Sequence, residues 1–142
     1  VKISVIAVGK IREKNVREMA DDYLKRLKHY VRVEEIEPKD DAALERAVPA
    51  DATIVALEVW GKTLGSEDFA KRVEAWGTRG KGHVAFVIGG AEGIPDALSK
   101  KAEFHLSLSS MTLPHRLARV ILFEQLYRAM TILRGEPYAR EG

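Results

Sequence analysis

The sequence predicts an α/β fold: a mostly parallel sheet flanked by helices, in one domain spanning residues 1–142. Two observations carry this. Short runs rich in β-branched and apolar residues alternate with longer amphipathic stretches, and three of those runs are apolar almost without interruption. A third supports it: 46% hydrophobic and 31% charged residues over 142 positions suit a single buried core.

The expected strands are residues 2–8, 31–36, 53–59, 83–88 and 104–107. Continuous apolar character in Ile3–Val8, Thr53–Leu57 and Val84–Ile88 is that of strands covered on both faces, so these three are expected at the centre. Between the strands, residues 15–29 place Val16, Met19, Ala20, Tyr23, Leu24 and Leu27 at helical spacing. A weaker helix is expected over 40–47. Ser66-Glu67-Asp68 reads as the cap of a helix running to Trp76. Residues 94–101 form another short helix, with Pro95 acceptable in its first turn. The last helix, 114–133, is apolar around most of its circumference, which asks for cover on two sides. The sheet supplies one side, and the same helix in a second subunit is the natural supply of the other. Arg116, Arg119, Arg128 and Arg134 punctuate it, as rim contacts or as part of a nucleic-acid-facing row.

Composition narrows the function classes. With no cysteine, disulfides, thiolate nucleophiles and Cys-based zinc sites are excluded. His29, His83, His105 and His115 lack metal-like spacing, so no metal is expected. No apolar run approaches the length of a membrane span and no cleavable leader is evident, so the expected compartment is the cytoplasm. The net charge of +2 is unevenly spread. Residues 1–32 hold nine Lys/Arg against four Asp/Glu, 33–58 hold two against eight, and 59–142 hold twelve against nine. Lys10, Arg12, Lys14 and Arg17 cluster just beyond the first strand, at the sheet edge where α/β ligands gather, and are the candidate contacts for a nucleic-acid phosphate backbone. A merely uneven solvated surface is the alternative.

Gly89-Gly90-Ala91-Glu92-Gly93 follows directly on a buried strand and is a candidate ligand loop. It is neither G-x-G-x-x-G nor a P-loop, and Glu92 would repel a pyrophosphate. A cofactor bound there is not held by its phosphates, which suits S-adenosylmethionine. A tight turn with glycine for steric reasons alone is the competing reading. Downstream, Leu106-Ser107-Leu108-Ser109-Ser110-Met111-Thr112-Leu113-Pro114-His115 alternates small hydroxyls with apolar residues before the last helix. It offers a wall for an adenine, or caps and turns for that helix.

The glycine loop, this segment, Glu124-Gln125-Leu126-Tyr127-Arg128-Ala129 and Pro137-Tyr138 occur in an order and spacing that closely resembles the RlmH family of SPOUT-class methyltransferases. The likeness extends to Val5-Ile6-Ala7-Val8-Gly9-Lys10 and Leu57-Glu58-Val59-Trp60-Gly61-Lys62, and so to nearly the whole chain. The resemblance implies a homodimer with a C-terminal deep trefoil knot, binding bent S-adenosylmethionine among the knot loops. It also implies methylation of N3 of a pseudouridine in large-subunit (23S) ribosomal RNA on the assembled ribosome. Carried over by position, the cofactor contacts are Leu57, Gly89, Leu108, Ser109, Ser110, Met111, Thr112 and Leu113, with the tail Tyr138-Ala139-Arg140-Glu141 near the target base.

The chain departs from the family where its ending resembles Pro-Tyr-His-Arg/Lys: Ala139 occupies the histidine position. Tyr138 and Arg140 are therefore the expected catalytic residues, positioning and polarising the base, with the N3 proton passing to water, Glu141 or Glu124. Glu124 has a competing role as the i,i+4 partner of Arg128. Against this stand three alternatives: a SPOUT methyltransferase of another RNA such as tRNA, a catalytically silent ribosome-binding or assembly protein, and a flavodoxin-like nucleotide binder. The last lacks a phosphate fingerprint.

Overall fold

The computed structural model describes residues 1–140. Five strands form one all-parallel sheet: β1 (Lys2–Ala7), β2 (Arg32–Ile36), β3 (Thr53–Thr63), β4 (His83–Ile88) and β5 (Phe104–Ser107), in the order β2-β1-β4-β3-β5. The three near-continuous apolar runs, β1, β4 and β3, are the three interior strands. Every residue of β4 is buried, because it pairs on both edges and is covered on both faces.

Helices α1 (Lys14–Leu27), α2 (Asp41–Ala47), α3 (Ser66–Gly77), α4 (Asp96–Ser99) and α5 (His115–Leu133) sit between and after the strands, and a 3-10 turn covers Pro137–Arg140. Side-chain alternation along the strands splits the core in two. Ile3, Val5, Val84, Phe86 and Ile88 face α1, α3 and α5, while Ile6, Ala85 and Val87 pack with Leu44 of α2 and Leu98 of α4. Trp76 meets Phe86 edge-on, with ring centroids 6.1 Å apart, closing the larger core beneath α3.

Three elements differ from expectation. Ser66 is not the α3 cap: Gly65 occupies that position, and the Ser66 hydroxyl instead donates to Gln125 Oε1 at 2.7 Å, tying α3 to α5. The helix expected over 94–101 shortens to Asp96–Ser99, because Pro95 sits in extended geometry at its cap. β3 continues past residue 59 to Thr63, and its pairing with β5 jumps register between Leu57 and Lys62.

The arginines of α5 also sort differently from a surface row. Arg119 is 2% exposed, with Nη1 donating to Glu35 Oε2 (3.0 Å) and Glu37 Oε2 (2.5 Å) and Nη2 to the Gly9 carbonyl (2.8 Å). Arg128 folds onto Glu124, at 3.0 and 2.8 Å. Removing one partner from a buried ionic cluster strands the other charges, at a typical cost of about 3–5 kcal/mol. Arg119→Ala is expected to lower unfolding free energy by about that amount, read from the urea midpoint at unchanged m-value; a shift within about 0.5 kcal/mol, usual for a surface site, would show the cluster to be unimportant.

Candidate functional site

The carboxyl ends of β3, β4 and β5 open into one cleft of about 490 Å³, within the range of small-ligand sites. β4 delivers Ile88 and the glycine loop, β3 delivers Leu57 to Trp60, and the β5–α5 connection supplies Leu108, Ser109, Met111, Thr112 and Leu113. His115 and Ala118, at the start of α5, complete the rim.

Two glycines are there because nothing larger fits. A Cβ on Gly89 would lie 2.3 Å from the Gly93 carbonyl carbon and 2.6 Å from the Ile94 nitrogen, so the loop folds back onto bare backbone. Gly90 and Gly93 pair as an isolated bridge, and the Gly93 amide donates to the Gly90 carbonyl at 2.9 Å, closing the turn. At Gly61, a Cβ would lie 2.6 Å from the His105 carbonyl oxygen. There β3 swings out and returns to β5, which displaces residues 58–61 toward the cleft.

Of the expected cofactor residues, the structure brings Leu57, Gly89, Leu108, Ser109, Met111, Thr112 and Leu113 together in this cleft; Ser110 is not among its lining residues. Ser109 is also a turn former, its Oγ accepting from the Met111 amide at 2.9 Å. Sequence reasoning missed Glu58, Trp60, Asp96 and Ser99 as lining residues. No local pattern marks the first two: the role of Gly61, directly after Trp60, shows only in its close approach to β5 in three dimensions.

Tyr138 and Arg140 are not brought to the cleft within one chain. The turn carrying them packs against the far part of α5, where the Tyr138 hydroxyl donates to Glu124 Oε2 at 2.8 Å and its ring sits 4.6 Å from that of Tyr127. Glu124 and Arg128 lie on the order of 14–20 Å along the helix axis from His115. Burial, together with the hydrogen bond to Glu124, raises the Tyr138 phenol well above its ordinary pKa, so it stays protonated and acts as a donor. Glu124 takes Arg128, Tyr138 and the Gln125 amide at once, the i,i+4 role rather than that of a free base. Glu141 lies outside the described residues.

The candidate RNA contacts separate. Lys10, Arg12 and Lys14 are exposed, whereas Arg17 is committed to Glu35 (2.6 Å), Asp21 (2.9 Å) and Glu37 (3.3 Å). A Ser4–His83–Asp51 line also exists, with Ser4 Oγ 2.8 Å from His83 Nε2 and His83 Nδ1 3.4 Å from Asp51. It is no nucleophilic triad: Ser4 is 0% exposed, within β1, and its hydroxyl donates to Glu34 at 2.8 Å. Among the described residues no group of three or more His, Asp or Glu is placed to hold a metal ion, and no helix is long and apolar enough to cross a membrane.

A family described as "Predicted SPOUT methyltransferase" matches residues 1–139. The chain is 52% identical to Ribosomal RNA large subunit methyltransferase H of Sorangium cellulosum, over 97% of this chain and 99% of that protein. It is 43% identical to the protein of the same name from Acetivibrio thermocellus, over 98% and 99%. Among solved structures it resembles a probable methylase family protein from Haemophilus influenzae, with TM-score 0.59, 14% identity and coverage of 96% of this chain and 69% of that one. It also resembles Ribosomal RNA small subunit methyltransferase E from Neisseria gonorrhoeae bound to S-adenosyl methionine, with TM-score 0.50, 14% identity and coverage of 94% and 66%.

Because the atoms facing Gly89 are backbone, no rotamer change can admit a side chain. Gly89→Ala is expected to destabilise the fold by about 1–3 kcal/mol, the usual cost of overpacking, and to weaken S-adenosylmethionine binding at least tenfold. Thermal unfolding and calorimetric titration check the two effects; unchanged affinity would remove this loop from the site.

Proposed function

The chain belongs to the SPOUT methyltransferase family, and we propose that it uses S-adenosylmethionine to methylate large-subunit ribosomal RNA at N3 of a pseudouridine. The observation that carries this reading is the cleft: seven of the eight residues that the sequence resemblance assigns to the cofactor converge at the carboxyl ends of three adjacent strands. Large-subunit ribosomal RNA comes from the names of relatives covering almost the whole chain, and the pseudouridine N3 from the sequence resemblance.

The residues present fit the cofactor. Leu57, Ile88, Leu108, Met111 and Leu113 offer apolar surface for an adenine, and the close turn at Gly89 leaves room for a ligand edge against backbone. Among the described residues no lysine or arginine lines the cleft, so it is not built for a phosphate-led ligand. The cofactor supplies a methyl group on a sulfonium sulfur, whose transfer to an imide nitrogen breaks the S–C bond, forms an N–C bond and releases one proton.

The protein's own part is placement and charge. Arg140 stabilises the imide as it becomes anionic, while Tyr138, its one hydroxyl proton held by Glu124, anchors the tail that presents Arg140 and keeps a hydroxyl lone pair free to accept from an N–H of the base. Glu124 is saturated with donors and Ala139 offers no base, so the proton leaves to water or to Glu141. Since the tail and the cleft of one chain lie at opposite ends of α5, a second copy belongs to the reading: its tail completes the site. Leu117 and Ile121, left 40% and 36% exposed on α5, supply apolar surface for that pairing. The C-terminal trefoil knot is part of the same proposal, supported by family membership. Lys10, Arg12 and Lys14 then contact phosphates of the ribosomal substrate.

Ala139 keeps a second reading open, a silent ribosome-binding protein on the same fold; failure to bind S-adenosylmethionine in calorimetry would favour it. Mass-spectrometric mapping of large-subunit RNA from cells with and without the protein is expected to show one methylated pseudouridine that depends on it. Arg140→Ala is expected to reduce methyl transfer to ribosomes by about 100-fold or more, the scale of losing a charge-stabilising donor, with cofactor affinity unchanged; near-normal turnover would reject its role. Replacing Lys10, Arg12 and Lys14 together by Gln is expected to weaken ribosome binding and flatten its salt dependence by up to about three counterions. An unchanged salt slope would mark them as solvated surface only.

A further inference from the structure

Among the described residues, the side chains lining the cleft include three acids, Glu58, Glu92 and Asp96, and no lysine or arginine. Glu58 differs from the other two in how it is held. Its side chain is only 10% exposed, and Ser99 Oγ donates to both carboxylate oxygens, at 3.2 and 3.1 Å. His105 Nδ1 sits 2.6 Å from Oε2, and the indole of Trp60 stacks on that imidazole with centroids 4.7 Å apart. Gly61 admits the close return of β3 that keeps this assembly at the cleft wall. Together these contacts hold the carboxylate in one place at the wall of the cleft.

We propose that Glu58 is the counter-charge that makes this cleft prefer a sulfonium cofactor over its thioether product. The proposal rests on the cofactor reading above and adds a specificity-determining residue to it. S-adenosylmethionine and S-adenosylhomocysteine share adenine, ribose and amino-acid groups, so shape and hydrogen bonding bind them almost alike. They differ by one methyl group and one positive charge. A fixed, largely buried carboxylate in a cleft lined, among the described residues, by no lysine or arginine acts on that difference, whereas a mobile exposed one would be screened. The consequence is that the spent cofactor loses its attraction as the charge disappears, which favours its release before the next turnover.

The experiment uses the full chain and calorimetric titration with three probes: S-adenosylmethionine, S-adenosylhomocysteine, and sinefungin, which carries an ammonium group in place of the sulfonium. The wild type is expected to bind the two cationic probes about five- to tenfold more tightly than the thioether, the scale of one charge acting through partly hydrated protein. Glu58→Gln is expected to abolish that preference by weakening the cations while leaving the thioether within about twofold, and Glu58→Asp to retain part of it. Equal weakening of all three probes by Glu58→Gln would overturn the proposal and make Glu58 a structural wall. Should that variant unfold, Glu58→Asp decides: it must narrow the ratio between cationic and neutral probes, and a ratio equal to that of the wild type overturns the proposal. A wild type that binds none of the probes instead removes the cofactor reading itself, and this inference with it.

Discussion

The constraint on which the arrangement depends is the burial of one guanidinium. Arg119 cannot be deprotonated, and a charge taken out of water must be met by charges and carbonyls at fixed positions. It draws Glu35 and Glu37 from the end of β2, and the Gly9 carbonyl from the end of β1, onto the first turns of α5. Arg17 of α1 shares the same two carboxylates, and Arg116 reaches Glu13 at 2.8 Å. One cluster thereby fixes the start of α5 against the loop that follows β1. That start is also the rim of the cleft, through His115 and Ala118, and that loop carries Lys10 and Arg12. The proposed cofactor cleft and the proposed RNA-contacting loop are therefore positioned by the same ions. Arg119 Nε is buried without a hydrogen-bond partner among the described residues.

The cleft follows from a second constraint, the meeting of three parallel strand ends with two close backbone approaches. Parallel strands end on the same side, so their following loops converge. Gly89 folds the β4 loop onto itself, and Gly61 lets β3 leave and rejoin β5. Without the second approach, β3 would end near Leu57, and neither Glu58 nor Trp60 would be displaced toward the cleft. The place of Glu58 in the wall is thus a consequence of a register jump, since it lies in the stretch that β5 does not pair, while Glu92 and Asp96 reach the cleft from the glycine loop and α4.

How much of this was legible in the sequence varies by kind of information. The interior strands were readable because burial on both faces leaves a continuous apolar run, and β1, β3 and β4 each show one. The far half of β3 was not, since Glu58, Trp60, Gly61 and Lys62 follow neither period, and only pairing with β5 makes a strand of them. Ser66 has the chemistry of a cap, but a partner on another helix, Gln125, took its hydroxyl, a tertiary choice invisible to local pattern. Arg119 was likewise indistinguishable from its neighbours Arg116 and Arg128, because what buries it is the convergence of carboxylates from residues 35 and 37. The proposed cofactor positions come from family resemblance, not from periodicity. Seven of the eight line one cleft, and the eighth, Ser110, is absent from its lining.

The tail shows how one helix separates two tasks. The start of α5 borders the cleft, whereas its later turns hold the aromatic and ionic bundle of Tyr127, Arg128, Glu124 and Tyr138. That bundle is well satisfied: Arg128 lies 5.0 Å over the Tyr138 ring while it pairs with Glu124. A tail held by such contacts is ordered before any substrate arrives, which lowers the entropic cost of placing Arg140 at a target. Order alone does not bring it to its own cleft, because a rigid helix keeps the two ends apart. The apolar surface left at Leu117 and Ile121 lies between them along α5. A second chain seated there, as proposed, joins the cleft of one copy to the pre-ordered tail of the other without bending either, so the rigidity that separates the two halves within a chain becomes the means of aligning them between chains.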